Sequence, residues 1–236
     1  MKSLRERVTD LGAELVIVVL GVLLALWADG KAGESRDRAA LDIQLASVRS
    51  EVRAAHALLE QRLKEWESQA AALKRLAAIN SGAPPPPNDS LAYYIDNGLL
   101  NFTTFDPDLS ALRDLQESGR IPSIHRDKLR LGLARLQEAL LGAKNLESVN
   151  LAEPQHDFFD PFVIDNFPSA FDAYAAGTGY PASTEHTANW ASLRSPRGRG
   201  LLSFKYASGH VMKGSWQGLL QRLSAVDAEI SAELNE

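Results

Sequence analysis

Cysteine is absent from the sequence. A disulfide framework, a thiolate nucleophile and a cysteine-based zinc site are therefore excluded. An excess of positive charge is also missing: 25 Lys and Arg stand against 30 Asp and Glu, a formal net charge of -5. Removing residues 1–28 takes away Lys2, Arg5 and Arg7 together with Glu6, Asp10 and Glu14, so the remainder keeps the same acidic balance. An acidic domain repels polyanions, and nucleic acid is not an expected partner. Catalytic signatures are lacking too. There is no GxSxG, Ser208-Gly209-His210 has no acidic neighbour to orient the histidine, and His56, His125, His186 and His210 are scattered without an HExxH-type pair. No cofactor is implied, and no internal repeat is visible.

What the sequence does have is one long apolar run. From Leu15 to Ala28 no residue is charged, and Val, Ile and Leu surround the whole helical circumference. That run rises only about 21 Å, against a hydrocarbon core of roughly 30 Å. Recruiting Leu11, Gly12 and Ala13 gives a transmembrane helix over residues 11–28 of about 27 Å. Glu14 then lies about one turn from the head groups, and Trp27 stands at the other boundary as an interfacial anchor. A cleaved signal peptide is the rival, because Ala28-Asp29-Gly30 offers small residues at the two inspected positions. Acidic residues in the n-region, the bulky Trp27 and helical sequence beyond the junction count against cleavage. A buried core helix would keep one wet face. Lys2, Arg5 and Arg7 before the run balance Lys31, Arg36 and Arg38 after it, so the charge rule is tied. The short tail 1–10 favours a cytoplasmic N-terminus and a periplasmic domain. Gly21 and Ala25 form a small-xxx-small pair suited to a homodimer.

Beyond a junction at Gly30–Gly33, apolar residues recur from Leu41 through Leu45, Val48, Val52, Ala55, Leu59, Leu63, Trp66, Ala70 and Leu73 to Ala77. The step averages about 3.6 residues, the straight-helix period, which predicts a long bundle helix over about 34–80. The proline-rich loop 81–89 follows, with Gly82 as a cap. It reads as an interhelix loop at the tip remote from the membrane, with a proline-rich recognition segment as the alternative. Ser90 opens a short helix over about 90–98. Asp106 as N-cap, Pro107 in the first turn and Gly119 after the last predict a helix over 107–118. Asp127 opens another over 127–150, striped by Leu129, Leu133, Leu136, Leu140, Ala143 and Leu146. A DNA-binding helix-turn-helix is the rival to plain hairpin packing, and the acidic charge opposes it. Residues 151–200 read as an irregular aromatic region with short capping helices. The stripe returns over 201–235 through Leu202, Tyr206, Gly209, Met212, Trp216, Leu219, Leu223, Val226, Ile230 and Leu234, with a kink expected near Gly209, Gly214 and Gly218.

Glu14 leading into LVIVVLGVLLAL, the Phe105-Asp106-Pro107 start, and Leu115–Ile121 followed by Ile124, Asp127, Leu129 and Arg130 resemble a group of uncharacterised bacterial single-pass inner-membrane proteins. The resemblance covers the apolar run and roughly residues 102–135. It implies an uncleaved anchor and a helical extracytoplasmic domain, and it supplies no activity.

Two clusters merit attention as sites. In HDFFD, His156, Asp157 and Asp160 are candidate metal ligands, since His156 and Asp160 would share a helical face. The competing reading is surface polar groups around an aromatic plug of Phe158, Phe159 and Phe162. RSPRGRG, residues 194–200, gathers three guanidinium groups either as a phosphate clamp or as a solvated loop. The expectation is an all-α protein, a transmembrane helix followed by an antiparallel helical bundle, acting as a membrane-anchored interaction or sensing module with a protein partner. A tethered hydrolase or metal-dependent enzyme and a soluble periplasmic binding protein are the alternatives.

Overall fold

The computed structural model describes residues 4–87, 90–168, 170 and 188–235, with residues 4–17 and 91–92 described by backbone alone. Every regular element among them is helical, the all-α class that the periodicity predicts. α1 runs from Leu4 to Asn80 as one helix of 77 residues, about 115 Å long. The junction at Gly30–Gly33 and the start near residue 34 do not occur. A glycine in a helix interior costs only about 1 kcal/mol relative to alanine, and both glycines are flanked by good helix formers. The end is where Gly82 puts it. With φ 105° it places its amide on Ile79 O (3.1 Å) and the Ala83 amide on Ala78 O (2.9 Å), a left-handed cap that glycine adopts without strain.

The second long element, α7 (Pro196–Glu233), lies antiparallel to α1. A ladder of side chains fixes the register: Arg38 meets Glu233, Arg49 and Arg53 both meet Asp227, His56 meets Ser224, and Glu67 meets Lys213. α4 (Asp127–Glu147) packs antiparallel on α7, from Arg126 against Glu229 at one end to Glu147 against Trp216 at the other. Between the three helices lie Leu45, Leu59, Leu115, Leu133, Trp216 and Leu223, all essentially inaccessible. Such a core forms because each helix carries one apolar stripe and a charged outer face.

Shorter elements close the two ends. α2 (Leu91–Ile95) passes into a π turn at Asp96–Leu100, where Gly98 lets the turn press against Leu76 of α1. The chain then descends to α3 (Ser110–Glu117), not the 107–118 that Asp106 and Pro107 suggest. Asp106 does not cap. Its place is taken from across the bundle by Glu51 of α1, whose carboxylate accepts the Ala111 amide (2.8 Å) and the Leu112 amide (3.2 Å). α4 is capped in the same way by Glu233, which accepts the amides of His125 and Arg126, each at 2.9 Å. Gly119, at φ 69°, does end α3 as expected.

α4 gives way at Ser148–Ala152 to a π turn, and a second π turn spans Gln155–Phe159. α5 (Asp160–Asn166) and α6 (Trp190–Arg194) follow, short helices of the kind expected in the aromatic region. In the same aromatic region Phe171, Tyr174, residues 177–184 (GTGYPAST) and His186 lie outside the described residues. α7 starts at Pro196 instead of residue 201, because the Ser195 hydroxyl accepts the Gly198 amide (3.0 Å) and Pro196 suits the first turn. RSPRGRG is thus no loop. It is the C-terminal end of α6 and the first turn of α7. The glycines do not break α7, and Gly209 stands where the Trp66 ring meets the backbone and a Cβ would overlap it.

Candidate functional site

Two features depart from what a packed bundle requires. The first is the N-terminal part of α1. From residue 18 to residue 32 every side chain is exposed, including Leu24 and Trp27 at 65% each, and among the described side chains of α1 the first buried one is Leu41. Among the described residues no helix is long and apolar enough to cross a membrane. The side chains of residues 11–17, the first part of the span expected at 11–28, lie outside that description.

The second feature is a polar chain at the end of the bundle remote from Arg38. Lys205 of α7 is 3% exposed, at a position facing the core. Its ammonium group donates to Gln155 Oε1 (2.6 Å) and to Leu99 O (3.3 Å), and it lies 4.7 Å from the centroid of the Phe159 ring. Gln155 Nε2 passes the connection to Asp160 Oδ1 (2.7 Å), and Asp160 Oδ2 meets the exposed His156 Nδ1 at 3.2 Å. Both acceptors of Lys205 stand on π turns, whose widened backbone leaves room for an amine in the interior. Burial pushes the Lys205 ammonium down from 10.5 to about 7, against the opposing pull of Asp160. Near neutral pH the amine is therefore divided between charged and neutral forms.

Glu147 is the second buried ionisable group here. It accepts the Trp216 indole N–H and the Phe105 amide, each at 3.0 Å. Burial raises its pKa, and those two hydrogen bonds only partly offset the effect. The opposite end behaves differently. Burial also works against the Glu233 charge, but the His125 and Arg126 amides and Arg38 outweigh it and hold the carboxyl below its ordinary value.

Of the metal candidates, His156 and Asp160 come together while Asp157 is exposed. Among the described residues no group of three or more His, Asp or Glu side chains is placed to hold a metal ion. Phe159 and Phe162 are buried as the plug reading expects, and Phe158 is 52% exposed. Lys205, Gln155 and Glu147 escaped sequence reasoning. A signal existed for Lys205: counting back from Trp216 and Met212 at helical steps lands on Gly209 and then Lys205, a charged residue in a core slot.

Comparison of the chain with protein-family models, curated proteins and solved structures yields no match.

Proposed function

We propose that the chain is a single-pass protein of the bacterial inner membrane and a non-enzymatic interaction or sensing module. Residues 11–28 form the span, residues 1–10 a cytoplasmic tail, and the bundle stands on the periplasmic side with a protein as its partner. The observation that carries this reading is the bare apolar stretch of α1. Val18, Leu20, Leu23, Leu24 and Leu26 are each more than half exposed on different sides of the helix. Covering one such side chain is worth roughly 1.5–3 kcal/mol, and a bilayer covers all sides at once. Continuous helix through Ala28-Asp29-Gly30 favours a retained anchor over a cleaved signal peptide. The resemblance to single-pass inner-membrane proteins points the same way. A homodimer through Gly21 and Ala25 belongs to the same proposal, because a Cβ at Gly21 would meet nothing within 4 Å and that face is open to a second helix.

The enzyme reading rests on the His156–Asp160 contact. It lacks a third ligand beside that pair among the described residues. The test is fractionation of cells making the full chain. The protein should sediment with membranes after a carbonate wash and retain Met1. Soluble protein cleaved near Ala28 would replace the anchor with the periplasmic binding protein.

A further inference from the structure

The outer surfaces of α4 and α7 bound an open cleft of about 260 Å³. Its rim carries three cations, Lys128 and Arg135 from α4 and Arg222 from α7. Its apolar lining is made by the exposed Leu131 and Ala225 and the buried Val226. Gly132 brings the two helices together beneath it, since a Cβ there would already touch Val226 at 3.4 Å.

The charges bear on what this cleft could hold. The chain has a net charge of -5, and several arginines of the bundle rest on carboxylates: Arg38 on Glu233, Arg49 and Arg53 on Asp227, Arg62 on Glu65. Lys128, Arg135 and Arg222 have no hydrogen bond or ion pair among the described residues. Glu229, the acid of the cleft, is taken by Arg126 at 3.0 Å. Like charges gathered around an apolar lining repel one another, and an anion seated between them would remove that cost. Arginines present planar forks that match a carboxylate or phosphate, while the lining suits a compact hydrocarbon body. The volume admits one ring or a short chain and is below that of drug-sized ligand pockets.

From this juxtaposition we infer that the cleft between α4 and α7 binds a small amphiphilic organic anion, a carboxylate or phosphate on a compact apolar body, held by Arg135, Arg222 and Lys128. The assignment goes beyond the anchor reading and does not depend on it.

The test is calorimetric titration of the full chain in detergent with phenyl phosphate and with benzoate, using inorganic phosphate and phenol as half-ligands. Saturable binding of phenyl phosphate or benzoate, at least tenfold tighter than either half-ligand, is expected, and the tighter of the two names the head group. The double variant Arg135→Gln/Arg222→Gln should weaken it at least tenfold with unchanged helicity and melting. Ala225→Glu, at an exposed position, should abolish it by placing an acid among the cations. Absence of saturation with both probes, equal affinity for inorganic phosphate, or undiminished binding by either variant overturns the assignment.

Discussion

Within the single helix α1 two kinds of hydrophobic sequence meet different fates. Over Leu41–Ile79 the apolar residues form one stripe, and the bundle covers that stripe almost completely. Over Val18–Trp27 they surround the helix, and the other described residues bury none of them. A stripe asks for one neighbour and a full circumference asks for a solvent. The protein supplies the first from α3 and α7, and the account assigns the second to lipid. Thirteen residues without a buried side chain, Ala28 to Ala40, separate the two regimes.

Substitutions should therefore act on membrane partition in one region and on bundle stability in the other. Val19→Arg with Leu23→Arg should have the largest effect, each charge costing about 2.5–3.5 kcal/mol at the centre of a span. Its readout is loss of membrane integration, and a double variant integrated at the wild-type level would break the comparison. Leu59→Ala should cost about 2–5 kcal/mol of bundle stability through cavity formation, seen in chemical denaturation, while leaving partition untouched. Glu51→Ala should cost roughly 0.5–2 kcal/mol, the range for losing a helix cap, with hydrogen exchange at Ala111 and Leu112 rising first.

The Lys205 amine sharpens the comparison through pH. Its folded pKa, about 7, lies below the unfolded 10.5. Between those values the unfolded chain binds a proton that the folded chain does not, so this group makes stability rise as pH climbs from about 7 toward 10.5. Denaturation across that window should show the rise in wild type and lose it in Lys205→Met. Glu147 acts in the other direction, since its raised pKa makes stability grow as pH falls toward its ordinary value. Its signature should disappear in Glu147→Gln.

The helices were legible in the sequence because their stripes hold a helical period over many turns. Their glycine-marked ends at Gly82 and Gly119 are legible too, and the polar residues inside the stripes are not. At four places the pattern favours an apolar residue while the neighbour beside it occupies the core: Gln69 beside Ala70, Glu147 beside Leu146, Lys205 beside Tyr206, and Glu233 beside Leu234. Each buried polar residue is satisfied by a partner distant in sequence, such as Thr103 for Gln69 at 2.6 Å. Periodicity cannot report such partners, because the stabilising bond is tertiary. The start of α3 was misplaced for the same reason, its cap coming from Glu51 some sixty residues away. His156 and Asp160 were legible as a pair by their spacing, whereas the amine behind them required the packing of α7 on two π turns.

The lack of cysteine makes the central claim directly measurable. Single cysteines at Ser3, Leu23 and Ser50 can be labelled with a membrane-impermeant maleimide in intact spheroplasts, after lysis, and after dissolution in SDS. The account predicts labelling of Ser50→Cys in intact spheroplasts, of Ser3→Cys only after lysis, and of Leu23→Cys only in SDS, because thiols buried in hydrocarbon stay protonated and out of reach of the aqueous reagent. Labelling of Leu23→Cys as fast as Ser50→Cys before detergent is added would contradict it.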